Sequence, residues 1–317
     1  MAEPARDDNR PTPKPARRRF LQATAAAAGL VIPGRAVGEA GTARSAAAGS
    51  PPPANSEVRR GALKRSVKWG MIQIDGPALE RFCVCRDLGY DGMELISPVS
   101  VPLAELRAAS QETGLPIHGL VNDKHWQVRL SSPDGATRER AVGILDAALR
   151  DAAAMGGHAV LLVPGVVGDE ATHAEVWSRS MAGIRQVLPT AAALGVRVLI
   201  ENVWNGFCET PEQLRDYLDE IDGPWVGAYF DIGNAQKFAP PAAWIRTLGR
   251  RIVKLDVKDW GAANGFCKIG DGDVDWSAVR EALGEIGYSG WCTAEVTGGG
   301  RDRLADIAER MDTVLGV

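Results

Sequence analysis

The stretch Ile252-Val253-Lys254-Leu255-Asp256-Val257-Lys258-Asp259-Trp260 (IVKLDVKDW) reads as a β-strand, because its apolar residues are aliphatic and largely β-branched. Yet Lys254, Asp256 and Lys258 recur at every second position and so share one face. Such a row of charges belongs either to the solvated edge of an antiparallel sheet or to a strand whose charged face has work to do. The surrounding chain decides which.

From residue 66 onward, short apolar runs alternate with amphipathic stretches. Strands are expected at 66–72, 91–96, 115–121, 158–163, 196–202, 226–231, 252–257 and 291–296. Between them lie helical patterns such as VPLAELRAASQETG, TPEQLRDYLDEI and WSAVREALGEIG. Several of these close on a glycine just before the next strand, as in Leu88-Gly89, Thr113-Gly114 and Leu194-Gly195, the usual left-handed helix cap. Eight such strand–helix units suit an α/β (β/α)8 barrel, and an open doubly wound sheet less well. No G-x-G-x-x-G follows the first strand, which argues against a dinucleotide site.

In a barrel of this kind the active site lies at the C-terminal ends of the strands. The fifth strand ends in Glu201-Asn202, the sixth in Asp231 and the seventh in Asp256, and the eighth contains Glu295. Four carboxylates at one level of four successive strands repel each other and are costly to desolvate unless something cationic joins them. A divalent cation meets that need, with Glu201, Asp231, Asp256 and Glu295 as its ligands. Lys254 and Lys258 share the face of Asp256, where they either offset surplus negative charge or bind substrate oxygens.

These residues resemble the xylose isomerase-like barrels of the sugar phosphate isomerase/epimerase family, near its hydroxypyruvate isomerase branch. The resemblance covers about residues 66–315. It rests on Glu201-Asn202, Asp231-Ile232-Gly233-Asn234, Lys258-Asp259, the run IGDGDVDW from Ile269 to Trp276, and Glu295. It implies that Glu201, Asp231 and Glu295 are metal ligands, and that Glu201 and Glu295 also serve as catalytic base and acid. The implied reaction is isomerisation or epimerisation of a sugar, or of a sugar-derived keto compound, through an enediolate. One position departs: the family carries histidine where this chain has Asp256. An all-oxygen ligand set favours Mn2+ or Mg2+ over Zn2+. A lyase acting on 3-keto-glycosides through the same enolate is the alternative, and a non-catalytic sugar-binding barrel a more distant one. Endonuclease IV shares the barrel, but it needs a histidine-rich metal cluster, and this chain has four scattered histidines.

Substrate contacts are expected from His125 in the segment HGLVNDKHW, from Trp204 as a stacking surface, and from Asn234 and Lys258. His118, Asn122, Asp123, Lys124 and Trp126 are placed near the mouth by the same segment. Glu94 either points into the barrel or pairs with Lys254. His158 and His173 read as structural, and Trp276 as a packing residue following a helix cap at Asp275. Gly298-Gly299-Gly300-Arg301 is the one candidate cradle for a substrate phosphate.

The 317 residues carry a formal charge of −4. Residues 1–48 hold eight basic against four acidic side chains, so the remainder carries −8. An acidic body argues against nucleic acid and leaves a small carbohydrate as the expected partner. The basic segment ARRRFLQATAAAAGLVIPGRA resembles a twin-arginine export signal, with Arg17-Arg18 as the pair. Its apolar run is too short and alanine-rich for a lasting membrane span. The chain therefore divides into a signal peptide (1–48), a linker (49–62) and a barrel (63–317), with a periplasmic or other extracytoplasmic destination. A homo-oligomer is left open. Five cysteines make no disulfide framework in a chain this long. Cys208 and Cys267, each ending an Asn-Gly-Phe-Cys loop, are expected to be free thiols rather than a pair.

Overall fold

The computed structural model describes residues 63–168 and 170–317. The signal and linker assignments, residues 1–62, lie outside the described residues. The strands are β1 (Leu63–Lys68), β2 (Gly92–Ser97), β3 (Ile117–Asn122), β4 (Ala159–Leu162), β5 (Arg197–Glu201), β6 (Val226–Asp231), β7 (Ile252–Val257), β8 (Asp259–Gly261), β9 (Gly265–Cys267) and β10 (Gly290–Ala294). The helices are α1 (Ala78–Asp87), α2 (Leu103–Thr113), α3 (Gly135–Ala154), α4 (His173–Leu194), α5 (Pro211–Ile221), α6 (Ile232–Gln236), α7 (Pro241–Leu248), α8 (Trp276–Glu285) and α9 (Arg301–Leu315). Eight parallel strands close a barrel in the order β1, β10, β7, β6, β5, β4, β3, β2, while β8 and β9 form a separate antiparallel hairpin. The (β/α)8 reading therefore holds.

Local chemistry sets the element boundaries. Gly114 and Gly195 end α2 and α4 at φ of 69° and 70°, a conformation that costs a residue with a Cβ appreciably more. Thr172 and Thr210 open α4 and α5 with reciprocal capping boxes to Glu175 and Gln213. The main core lies between the strands and the helices. Inside the barrel a much smaller apolar cluster remains: Ala159, Leu161, Leu199 and Tyr229. Much of the rest of the interior is polar, and Lys68, Glu94, Glu201, Asp231, Lys254 and Asp256 are buried there.

Most strand boundaries shift by one to four residues from expectation, and two of the shifts bear on the site. The first strand ends at Lys68, and Trp69–Met71 form a 3-10 turn rather than continuing it to residue 72. Trp69, Met71 and Ile72 are buried, so apolar character alone could not tell a tight turn from an extended strand there. The last strand ends at Ala294, with Glu295 just beyond it. Its N–H still donates to the Val257 carbonyl at 3.2 Å, which carries the ladder one step further.

Candidate functional site

The ends of β5, β6, β7 and β10 bring Glu201, Asp231, Asp256 and Glu295 together. One oxygen from each lies within 4.8 Å of the others. The supports are specific. The Asp231 backbone exchanges two hydrogen bonds with the Asn202 side chain: its N–H donates to Oδ1 at 2.8 Å and its carbonyl accepts from Nδ2 at 2.9 Å. Asp231 also caps α6, with Oδ1 accepting from the Asn234 N–H at 2.7 Å. Asn234 Nδ2 donates to the Asn202 carbonyl at 2.9 Å and reaches Glu201 Oε1 at 3.4 Å. Asn234 thus donates to two of the acids, to Asp231 through its backbone and to Glu201 through its side chain. Gly233 is obligatory beside it, since a Cβ there would lie 2.8 Å from the Lys258 carbonyl carbon.

Two ammoniums are set among the acids. Lys258 Nζ lies 3.5 Å from Asp231 and 3.3 Å from Glu295. The second is Lys68, at the end of β1, with Nζ 2.8 Å from Asp256 Oδ2 and 2.9 Å from Glu295 Oε1. Sequence reasoning missed Lys68 by running the first strand past it. The available signal was Lys64, Ser66 and Lys68, polar at period two, the same spacing that singled out Lys254 and Asp256. Lys254, by contrast, is not in this site. It lies deeper, 3.6 Å from Glu94, so both readings of Glu94 hold: it points into the barrel and pairs with Lys254.

The protonation preferences describe a site short of positive charge. Burial, reinforced by Glu295, raises the Glu201 pKa well above the usual carboxylate range. Burial raises Asp231 to about 7 and lifts Asp256 strongly as well. Burial also pushes Glu295 upward, but Lys68 and Lys258 outweigh it and hold that carboxyl at about 2. Asp256 Oδ1 is buried without any hydrogen-bond partner. A buried carboxylate oxygen left unpaired is costly, and on a residue clustered with three further acids it fits a cation. The four carboxylates with two ammoniums leave two formal negative charges, which a divalent ion balances. The donor set therefore fits a hard divalent metal held by Glu201, Asp231, Asp256 and Glu295.

A cavity of about 350 Å³ opens over this cluster. All four residues expected to touch substrate line it: His125, Trp204, Asn234 and Lys258. His125 Nδ1 accepts the Val163 N–H at 3.2 Å, and burial holds its pKa down at about 4. The ring is then neutral, with Nε2–H as its remaining donor. Trp204 donates its indole N–H to the Asn234 carbonyl at 2.9 Å and stacks on Phe266, with centroids 4.6 Å apart. The aromatic wall is thus a pair of rings, with Lys258 Nζ 4.5 Å from the Phe266 centroid. Phe266 was also missed, because the β8–β9 hairpin that carries it lies outside the eight-unit repeat.

Other expectations resolve differently. His118 is buried in the barrel interior, stacked on Trp291 at 4.2 Å, and does not reach the mouth. Asp259 is a loop anchor: it accepts the N–H groups of Trp260, Gly270 and Val274 and the Trp276 indole N–H. The IGDGDVDW run folds around it, and a Cβ on Gly272 would fall 2.2 Å from Asp259 Oδ1. Trp276 packs behind the Asp275 helix cap as expected. In the glycine run after β10, Gly298 is committed to close approach on Met71, and Gly299 exchanges backbone hydrogen bonds with the 71–73 segment. Cys208 and Cys267 are free thiols. No helix among the described residues is long and apolar enough to cross a membrane.

Residues 82–314 match the family model of the xylose isomerase-like TIM barrel. Among curated proteins, a putative L-ribulose-5-phosphate 3-epimerase of Escherichia coli K12 is 25% identical over 230 residues, 67% of this chain and 80% of that one. An L-ribulose-5-phosphate 3-epimerase of E. coli ATCC 8739 is 24% identical over 272 residues, 80% of this chain and 95% of that one. Solved structures of similar fold include D-allulose 3-epimerase from Methylomonas sp., with a TM-score of 0.68 at 20% identity, covering 80% of this chain and 97% of that one. Another is the 3-keto-D-glucoside 4-epimerase of E. coli, with a TM-score of 0.70 at 17% identity, covering 80% of this chain and 100% of that one. The axial carboxylate cluster at the mouth of a closed eight-stranded barrel is thus set in a chain that belongs to the xylose isomerase-like TIM barrel family.

Proposed function

We propose that this protein is a divalent-metal-dependent isomerase or epimerase of a sugar, or of a sugar-derived keto compound, working through an enediolate. The observation that carries the reading is the convergence of four carboxylates within 4.8 Å, one of them with an orphaned buried oxygen, beneath a cavity lined by polar donors and aromatic rings. The relatives named above are sugar epimerases, which supports a carbohydrate as substrate. When bound, Mn2+ or Mg2+ supplies Lewis-acid polarisation of a substrate carbonyl and its neighbouring hydroxyl.

The chain's own residues do the rest. Glu201 and Glu295 both border the cavity, and they serve as the pair that removes a proton from carbon and returns one. Glu201 is the one whose carboxyl is drawn toward holding a proton, while Glu295 is held ionised between Lys68 and Lys258. His125 offers a neutral N–H to a substrate oxygen, and Lys258 a cationic one. Trp204 and Phe266 cover the apolar face of the ring and keep water from the reacting carbon.

Solvent deuterium incorporation into a panel of free, phosphorylated and 3-keto sugars tests the proposal. Exchange at a carbon next to the carbonyl, abolished in Glu201→Gln, supports it; release of an aglycone would identify the 3-keto-glycoside lyase instead. Absence of exchange into every member by metal-loaded protein would overturn the enzymatic reading and favour a sugar-binding barrel. Arg17-Arg18 ahead of a weakly apolar run supports twin-arginine export and an extracytoplasmic site of action. Changing both to Lys should retain the precursor in the cytoplasm, and unimpaired export would refute that placement.

A further inference from the structure

Next to the cavity over the acids lies a second one, of about 380 Å³, between the segments that follow β3 and β4. The two cavities share one wall, the side chain of Trp126. Trp126 is 39% exposed, uncommon for so large a ring, and meets His125 edge-to-face at 5.4 Å. Its backbone is held by Arg129 Nε, which donates to the Trp126 carbonyl at 2.9 Å.

The second cavity is built into the fold. Ser131 is buried against Gly165, where a Cβ would fall 2.2 Å from the serine Oγ, so the two segments are packed tightly at this point. Asn205 Nδ2 donates to the Gly165 carbonyl at 2.6 Å, and the Val167 N–H donates to the Asn205 carbonyl at 2.9 Å. These bonds fix the segment after β4 to the loop that follows Glu201. Among the described residues the lining is polar and close to charge-neutral: Gln127, Ser132 and Thr137 contribute an amide and two hydroxyls, and Arg129 faces Glu170 at 3.5 Å. With its one arginine facing a carboxylate, this is a poor site for a phosphate. Hydroxyls and amides, each able to donate and accept, beside one exposed indole, suit an uncharged hydroxyl-rich ring.

Each cavity sits near the lower end of the ~300–1,000 Å³ typical of small-molecule sites, and so takes about one sugar ring. We infer that the second cavity is a glycosyl subsite, and that the substrate is a disaccharide or similar glycoside whose reacting ring lies over the carboxylates while its second, uncharged ring passes Trp126. This inference rests on the proposed function and narrows its substrate class.

Calorimetric titration of the metal-loaded protein tests it with matched pairs: D-fructose against isomaltulose, and 3-keto-D-glucose against 3-keto-cellobiose. In at least one pair the disaccharide should bind about tenfold tighter or better, equivalent to ~1.4 kcal/mol. Val166→Trp and Ser132→Trp, which fill only the second cavity, should abolish that preference and leave monosaccharide affinity unchanged. Retained monosaccharide binding serves as the folding control for both variants. Monosaccharides that bind as tightly as their disaccharides, or a preference that survives both fillings, would overturn the subsite while the proposed function stands. Failure of all four to bind, with deuterium exchange into a phosphorylated monosaccharide, would overturn the subsite while the proposed function stands; failure of both would overturn the proposed function and the subsite with it.

Discussion

Two polar layers lie one above the other inside the barrel, built from the same residue types on several of the same strands. The upper holds Glu201, Asp231, Asp256 and Glu295 with Lys68 and Lys258. The lower holds Glu94 and Lys254 with Tyr229, Thr293, His118 and Ser66, all 2% exposed or less. In the lower layer each polar group has a partner. Tyr229 Oη donates between the two Glu94 oxygens at 3.0 Å and lies 2.8 Å from Thr293 Oγ1. Lys254 Nζ lies 2.7 Å from His118 Nδ1 and donates to the His118 carbonyl at 3.1 Å. Gly119 leaves room for that amine, since a Cβ there would come within 2.3 Å of Nζ. One acid faces one base, and the layer is sealed. The upper layer has four acids to two bases, an orphaned oxygen and an open cavity. Burial and charge are common to both, so neither marks function here. Imbalance does.

That contrast is most exposed to failure at Lys254. Replacing it with Met strands Glu94 in a sealed interior and should destabilise the fold by about 3–5 kcal/mol, the usual cost of breaking a buried pair. Chemical denaturation reads this, and Lys254→Met with Glu94→Gln should recover part of the loss. Metal affinity should stay within a few-fold of wild type; a large fall would mean the layers act as one.

Asp256 is the complementary test in the upper layer. Asp256→Ala should weaken divalent-metal binding by on the order of 100-fold or more, since even residues that merely support a ligand typically account for ~10–100-fold. Asp256→His should bind metal but shift preference toward Zn2+ or Co2+. Wild-type affinity in the alanine variant would reduce Asp256 to an ion-pair partner of Lys68.

Lys68→Met sharpens the charge argument, because its sign is opposite. Removing an ammonium that holds Asp256 and Glu295 should tighten divalent binding by on the order of tenfold, the equivalent of ~1.4 kcal/mol. Weaker binding would show that Lys68 orients the ligands more than it competes for them.

Acid provides a further test, acting through several buried rings at once. Burial holds the pKa of His125 at about 4, that of His158 at about 3 and that of His118 well below normal, against about 6.5 in an unfolded chain. The unfolded chain therefore takes up protons first. With metal saturating, stability should be full above pH ~6.5 and decline as pH falls through the native values. Thermal melts between pH 7 and pH 4 check this, and a flat profile would mean that the buried rings are charged in the native state.

Most of the barrel was legible in the sequence, because strand-like and helical runs alternate eight times and several of the helices close on a glycine. The upper layer was half legible. Its acids stand out at strand ends, but Lys68 fell inside a strand drawn too long, and Lys254 looked like its equal because period two places residues on a face without giving their depth. Phe266 sits on a hairpin that has no counterpart in the repeat. The Gly-x-Gly-x-Val-Asp-Trp run pointed to the right region for a different reason: its residues wrap Asp259 and do not line the cavity.

Lys68 ends the first described strand, and its partner Asp256 lies 188 residues further along. The barrel closes where β1 pairs with β10, so the upper layer is complete only when the chain's two most distant strands meet. Contacts of such separation form late, because the entropy of closing a long loop must be overcome before they contribute. Acquisition of tight metal binding during refolding is then a clock for barrel closure, and a chain truncated before β10 should have the acids of three strands and no lock.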